Sequence, residues 1–135
     1  MAWMMLALIL GVPTFIAFRA YQRMLVRSQV VEGSNLAKPR LAAVEAYWQR
    51  HGVFPMDDRE AGVRVFTPDQ GHWVQRVGIA DGTVTIAWGT RANEQVAGHA
   101  LVYAPRVEDG ALRWECGSAA GTTLEIAVRP NACRH

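Results

Sequence analysis

The run AWMMLALILGVPTFIAF, Ala2 to Phe18, holds seventeen residues without one charge, and it constrains this chain more than any other stretch. As a helix at about 1.5 Å per residue it would reach roughly 26 Å, slightly short of the ~30 Å hydrocarbon core of a bilayer. A secretory signal needs basic residues ahead of its apolar run and small residues before a cut. No Lys or Arg precedes Trp3, and FRAY around Ala20 makes a poor cleavage site. A buried core helix would show a polar face, and this run has none. The reading is therefore an uncleaved membrane anchor. Gly11 is placed to let another helix approach closely, Pro13 removes a backbone donor and loosens the helix locally, and Trp3 suits a membrane interface.

The helical pattern does not stop where charge begins. From Tyr21 to about Arg50, the residues Val30, Ala37, Leu41, Val44 and Trp48 follow at spacings of seven, four, three and four, which places them on one stripe. Arg23, Arg27, Glu32, Arg40 and Gln49 fall off that stripe. Gly33 and Pro39 are expected to interrupt the pattern, with a kink near Lys38–Pro39. Gly52 is the natural C-cap and Pro55 lies just past it. Anchor and first soluble helix thus form one rod, divided into an apolar part at 1–19 and a head at 20–135 that includes the rod's second half.

Met56 to Gly71 is polar and without period, and reads as a solvated loop; Asp57, Asp58 and Glu60 lack the spacing of a calcium loop. Strands follow. HWVQRVGIA and TVTIAWG flank Asp81–Gly82, a strong tight-hairpin dipeptide, and HALVYAP and ALRWECG flank Glu108–Asp109–Gly110. Val84, Ile86 and Trp88 alternate onto one face, joined by Leu101, Tyr103 and Trp114. The apolar surface left to cover that face is the helix stripe. The expected fold is α+β: a long N-terminal helix, membrane-embedded in its first half, packed on a four-stranded antiparallel sheet. The tryptophans Trp48, Trp73, Trp88 and Trp114 are expected to pack in or beside the core.

Two cysteines, Cys116 and Cys133, lie near the C-terminus. A closed zinc site needs four ligands, and His51, His72, His99 and His135 are scattered without ligand spacing, so no metal is expected. A disulfide in an oxidising compartment is the better reading; closing such a loop contributes about 3 kcal/mol in the chain-entropy model. The bridge would pin the tail back onto the sheet. Arg19, Arg23 and Arg27 pull the other way, since by the positive-inside tendency they would hold the C-terminal side in the cytoplasm. The cysteines carry more weight. A net charge of +2 is too mild to announce a nucleic-acid binder. The sequence holds no GxSxG, P-loop, HExxH or Cys-x-x-Cys, so neither catalysis nor a cofactor is expected.

The chain resembles the type IV pilins. AYQRMLVRSQVVEGSNLA (Ala20–Ala37) is similar to the family's helix segment. VEAYWQRHGVFP resembles its helix end, and RPNAC resembles the Pro-x-x-Cys that closes its C-terminal loop. Gly11 falls where pilins usually carry a glycine. The resemblance implies a filament subunit whose partners are other pilin subunits and the pilus assembly machinery, with no small-molecule substrate. It would be held in the bacterial inner membrane with a periplasmic head, then carried to the cell surface in a pilus. Aligned on Gly11 and Tyr21–Gln22, the glutamate that pilins pair with a neighbour's N-terminal amine falls on Ala2, and Met1 begins inside the region of the family's leader motif. A membrane-retained accessory of pilus assembly is the alternative. A third reading is a DNA-capturing minor pilin, using a basic patch of Arg113, Arg129 and Arg134 around the disulfide loop, extended by Arg91 and Arg106.

Overall fold

A computed structural model describes residues 2–135. Met1, with the question of whether it is the true start, lies outside the described residues. One helix, α1, runs unbroken over Ala2–His51. It passes through Pro13, Gly33 and Pro39 without the expected interruption. Pro39 cannot donate to the carbonyl of Asn35, four residues back, but both residues lie on the exposed face, where water can take the donor's place. The helix stops at Gly52, whose φ of +71° is the left-handed C′ geometry and whose amide donates to the Trp48 carbonyl at 2.7 Å.

Four strands follow in antiparallel order: β1 Val74–Ala80, β2 Thr83–Trp88, β3 Ala100–Glu108 and β4 Ala111–Glu115. Both tight turns have positive φ at each central residue, 49° and 80° at Asp81 and Gly82, 51° and 75° at Asp109 and Gly110. This backbone matches the right-handed twist of the strands it joins. In the second hairpin Glu108 pairs with Ala111 and belongs to the strand, so the turn is Asp109–Gly110 alone.

The inner face of β2 is fully covered: Val84 and Ile86 are 0% exposed and Trp88 1%. What covers it is a helix stripe of Val26, Val30, Gly33, Ala37, Arg40 and Val44. Leu41 packs at its edge and Trp48 is half-buried. At Gly33 the sheet leaves no room for a side chain: a Cβ built there would overlap Trp88 Cζ2. The same indole donates from Nε1 to the main-chain carbonyl of Gln29 at 2.8 Å. The tail returns beneath β3, with the amides of Thr123 and Leu124 donating to the Ala100 carbonyl and Leu124 fully buried.

The segment between helix and sheet is held by a buried ion pair. Arg40 Nε donates to Asp58 Oδ2 at 3.0 Å, with both side chains less than a tenth exposed. Asp58 Oδ1 accepts from the Ile79 amide at 2.6 Å, and Arg40 Nη2 donates to the Arg64 carbonyl at 3.1 Å. Asp58 is thus not a solvated loop residue but the joint between helix, loop and β1. Asp58→Ala leaves Arg40 buried without its partner, and a loss of about 3–5 kcal/mol is expected, read as a lowered midpoint in chemical denaturation of the full chain. An Arg40→Met/Asp58→Ala double variant should recover part of that loss, because it removes the uncompensated charge.

Candidate assembly surface

Among the described residues, every position from Ala2 to Phe18 is exposed. The most apolar eighteen-residue window of the helix has a mean hydropathy of 1.7 and none of it is buried. Trp3 is 87% exposed, and Leu6, Leu10, Phe15 and Phe18 are each more than half exposed. Burial starts only at Val26. A face of this size, apolar all round, requires a partner phase or partner surface. Gly11 lies in it with open space where a side chain would stand. Pro13, two residues on, withholds the donor that would reach Ile9, and Thr14 Oγ1 adds a second donor to the next carbonyl, Leu10, at 2.7 Å. At the end of the run the Arg19 guanidinium sits 5.7 Å from the Phe15 ring centroid.

The C-terminal loop is closed by the Cys116–Cys133 bridge, spanning 17 positions with Cα atoms 4.9 Å apart. Its interior is organised by Arg129. Nε donates to the Leu124 carbonyl at 2.7 Å, Nη1 to Ser118 Oγ at 3.0 Å and to the His135 carbonyl at 3.1 Å, and Nη2 to the Thr122 carbonyl at 3.4 Å. A planar five-donor group can satisfy carbonyls on several sides at once. The residue is 6% exposed.

Of the expected basic patch, Arg129 is not at the surface, while Arg113 and Arg134 are exposed. Arg129 faces inward because the loop's carbonyls need its donors. Arg113 lies 3.6 Å from Glu108, and Arg106 lies 3.2 Å from Glu108 and 3.9 Å from Glu115. Arg134 donates to the Arg129 and Ala127 carbonyls. Glu32, read as a helix-face residue, instead accepts from the backbone amides of His72 and Trp73 at 2.8 and 3.3 Å and so starts β1. Nothing in the period of the sequence marks Arg129, Glu32 or Asp58 as buried anchors. Among the described residues no group of His, Cys, Asp and Glu is arranged to hold a metal ion.

The structure defines an α+β class in which one helix is a bare apolar spine along its first half and the backing of a sheet along its second. A family model described as Pilin (bacterial filament) matches residues 26–134. A type IV major pilin protein, PilE, of Neisseria gonorrhoeae is 32% identical over 84% of this chain and 69% of its own length. A fimbrial protein, EcpC, of Eikenella corrodens is 33% identical over 98% of this chain and 86% of its own length. The chain belongs to the type IV pilin family.

Two outcomes test the loop. Replacing both cysteines by serine should lower stability by about 3 kcal/mol, measured by thermal unfolding of the full chain with and without reductant; equal midpoints would show that the bridge constrains nothing. The second concerns the Glu115 carboxyl, held below its ordinary pKa first by the Gly117 amide at 2.9 Å and then by the His135 ring. Because its folded pKa is depressed, its contribution is present above the ordinary carboxylate range and is lost as pH falls through the lowered value. Protection of the Ser118 amide, which donates to the His135 carbonyl, against hydrogen exchange should fall, relative to the unstructured rate, over that acid window. Glu115→Gln should remove this loss of protection.

Proposed function

We propose that this chain is a structural subunit of a type IV pilus. The observation that carries the proposal is the bare apolar half-helix on a head that is already complete without it. Residues 1–19 serve as the anchor in the inner membrane and then as the chain's share of the filament core, while residues 20–135 form the head in the periplasm and later the outer wall. Other subunits of the same kind are the partners, delivered by the assembly machinery of the pilus. A cell-surface location follows from assembly. No chemical step is needed from such a subunit. A DNA-capturing role draws no support from the expected patch, since Arg129 lies inside the loop.

Gly11 is assigned to close helix–helix approach in the bundle. Its site is open in the single chain, so a larger side chain there disturbs only neighbours. Gly11→Leu should leave the unfolding midpoint of the head unchanged within about 0.5 kcal/mol, yet cut the yield of the chain in sheared surface filaments several-fold. The parent experiment is a blot of sheared and membrane fractions for an epitope-tagged copy. Signal in the sheared fibres is expected. Signal confined to the membrane fraction, with filaments shearing normally, would replace the filament reading by a membrane-retained accessory of assembly.

A further inference from the structure

Beside the lower turns of the head lies a groove of about 830 Å³ between α1 and the C-terminal disulfide loop. Its lower end is at Ala20, two residues beyond the uncharged run, and it rises along the helix to Ser34. Arg23 and Arg27 line the helix side and Arg134 the loop side; no aspartate or glutamate lines it anywhere. Among the described residues no carboxylate pairs with Arg19, Arg23, Arg27 or Arg134. Arg134 is held in place by its donations to the Arg129 and Ala127 carbonyls, at 3.1 and 3.4 Å. Between these cations the walls carry apolar residues, Met24 and Val31 on the helix and Val128 and Pro130 on the loop, together with the uncharged polar Gln95 and Asn131.

We propose that Arg23, Arg27 and Arg134, with Arg19 beneath them, bind the phosphate headgroup of an anionic phospholipid at the foot of the head. The proposal rests on the membrane-held stage of the reading above and adds a specific lipid contact to it. Arg19, Arg23 and Arg27 recur every four residues, on one side of the helix, and rise about 6 Å per step. The polar layer of a bilayer is about 5–8 Å deep on each side, so Arg19 and Arg23 span it and Arg27 stands within a Debye length above it. Helical side chains lean toward the N-terminus, which brings each guanidinium down toward the membrane. Guanidinium forks match phosphate oxygens in pairs. The apolar walls suit the glycerol and first methylenes of a lipid whose tails continue beside Ala2–Phe18. A groove that opens at the level of the lipid surface favours lipid over an acidic patch on a second copy.

The test places the full-length chain in nanodiscs of equal phosphatidylglycerol and phosphatidylcholine and measures the lipid it retains on release by native mass spectrometry. Phosphatidylglycerol should be retained over phosphatidylcholine by about tenfold, a preference of about 1.4 kcal/mol in all. The preference should fall toward unity in R23Q/R27Q/R134Q and persist in R106Q/R113Q. R23Q alone, at a side chain with no hydrogen-bond or ion-pair partner among the described residues, should lower it measurably even where the triple variant folds poorly. Equal retention of the two lipids by the parent chain overturns the proposal while leaving the anchor intact. Displacement of the lipid by millimolar inorganic phosphate overturns it in favour of a free-phosphate site, and arginine-dependent dimers without lipid preference overturn it in favour of a second copy. A chain that enters discs of neither lipid rejects the anchor reading itself, and the lipid site with it.

Discussion

The head depends on one close approach, the indole of Trp88 lying where Gly33 has no side chain. A glycine inside a helix costs about 1 kcal/mol relative to alanine, and here that cost is offset by what the gap admits. The ring is 1% exposed, and burying an aromatic of that size contributes several kcal/mol of apolar transfer. Its N–H would be costly if unpaired, and the Gln29 carbonyl accepts it one turn below Gly33. Because the acceptor belongs to the backbone, the bond fixes the height of the sheet on the helix as well as its distance. Ala37 and Val44, both 0% exposed, continue the same contact upward with small side chains.

Polar ties set around this contact make the connection single-valued. Gln29 Oε1 accepts from the Asn93 amide, Gln22 Oε1 from Asn93 Nδ2, and Glu45 Oε1 from the Trp114 indole, each at 2.8 Å. With Glu32 and Arg40 they secure the chain before β1, the connection between β2 and β3, and strand β4. No buried side-chain nitrogen or oxygen among the described residues lacks a partner. A sheet sliding along an apolar stripe would lose little hydrophobic energy, but it would break these bonds together, and broken buried bonds cost about 1–3 kcal/mol each.

This division explains what the sequence made legible. The helix stripe and the four strands follow from period and turn chemistry, which are local, and the hairpin dipeptides appear as expected. Local propensity marks Gly33 as an interruption because it counts a missing side chain only as a loss; the partner that fills the gap, Trp88, is 55 positions away. Arg40 and Asp58 look solvent-facing for the same reason, each being charged and each buried only because the other is. Its charge suggests a surface position for Arg129, whereas its donors answer carbonyls that converge only once the loop has closed. Buried polar groups are the class that periodicity cannot find, since their burial is decided by pairing.

The filament role depends on where burial starts along α1. Every helix residue in the core lies between Val26 and Val44, so the head draws none of its stability from Ala2–Phe18. In the proposed assembly, moving that half from lipid into a bundle of like helices would exchange one apolar environment for another and leave the head's energetics alone. Between lipid and a helix bundle the hydrophobic term is nearly balanced, and packing at small residues decides the difference. On the proposed reading, the seventeen uncharged residues, Gly11 among them, suit an anchor that leaves the membrane, and the arginines that begin at Arg19 would limit how far it sinks. A charged span would be held by its partners, and a helix buried along its whole length would have no surface left for a neighbour.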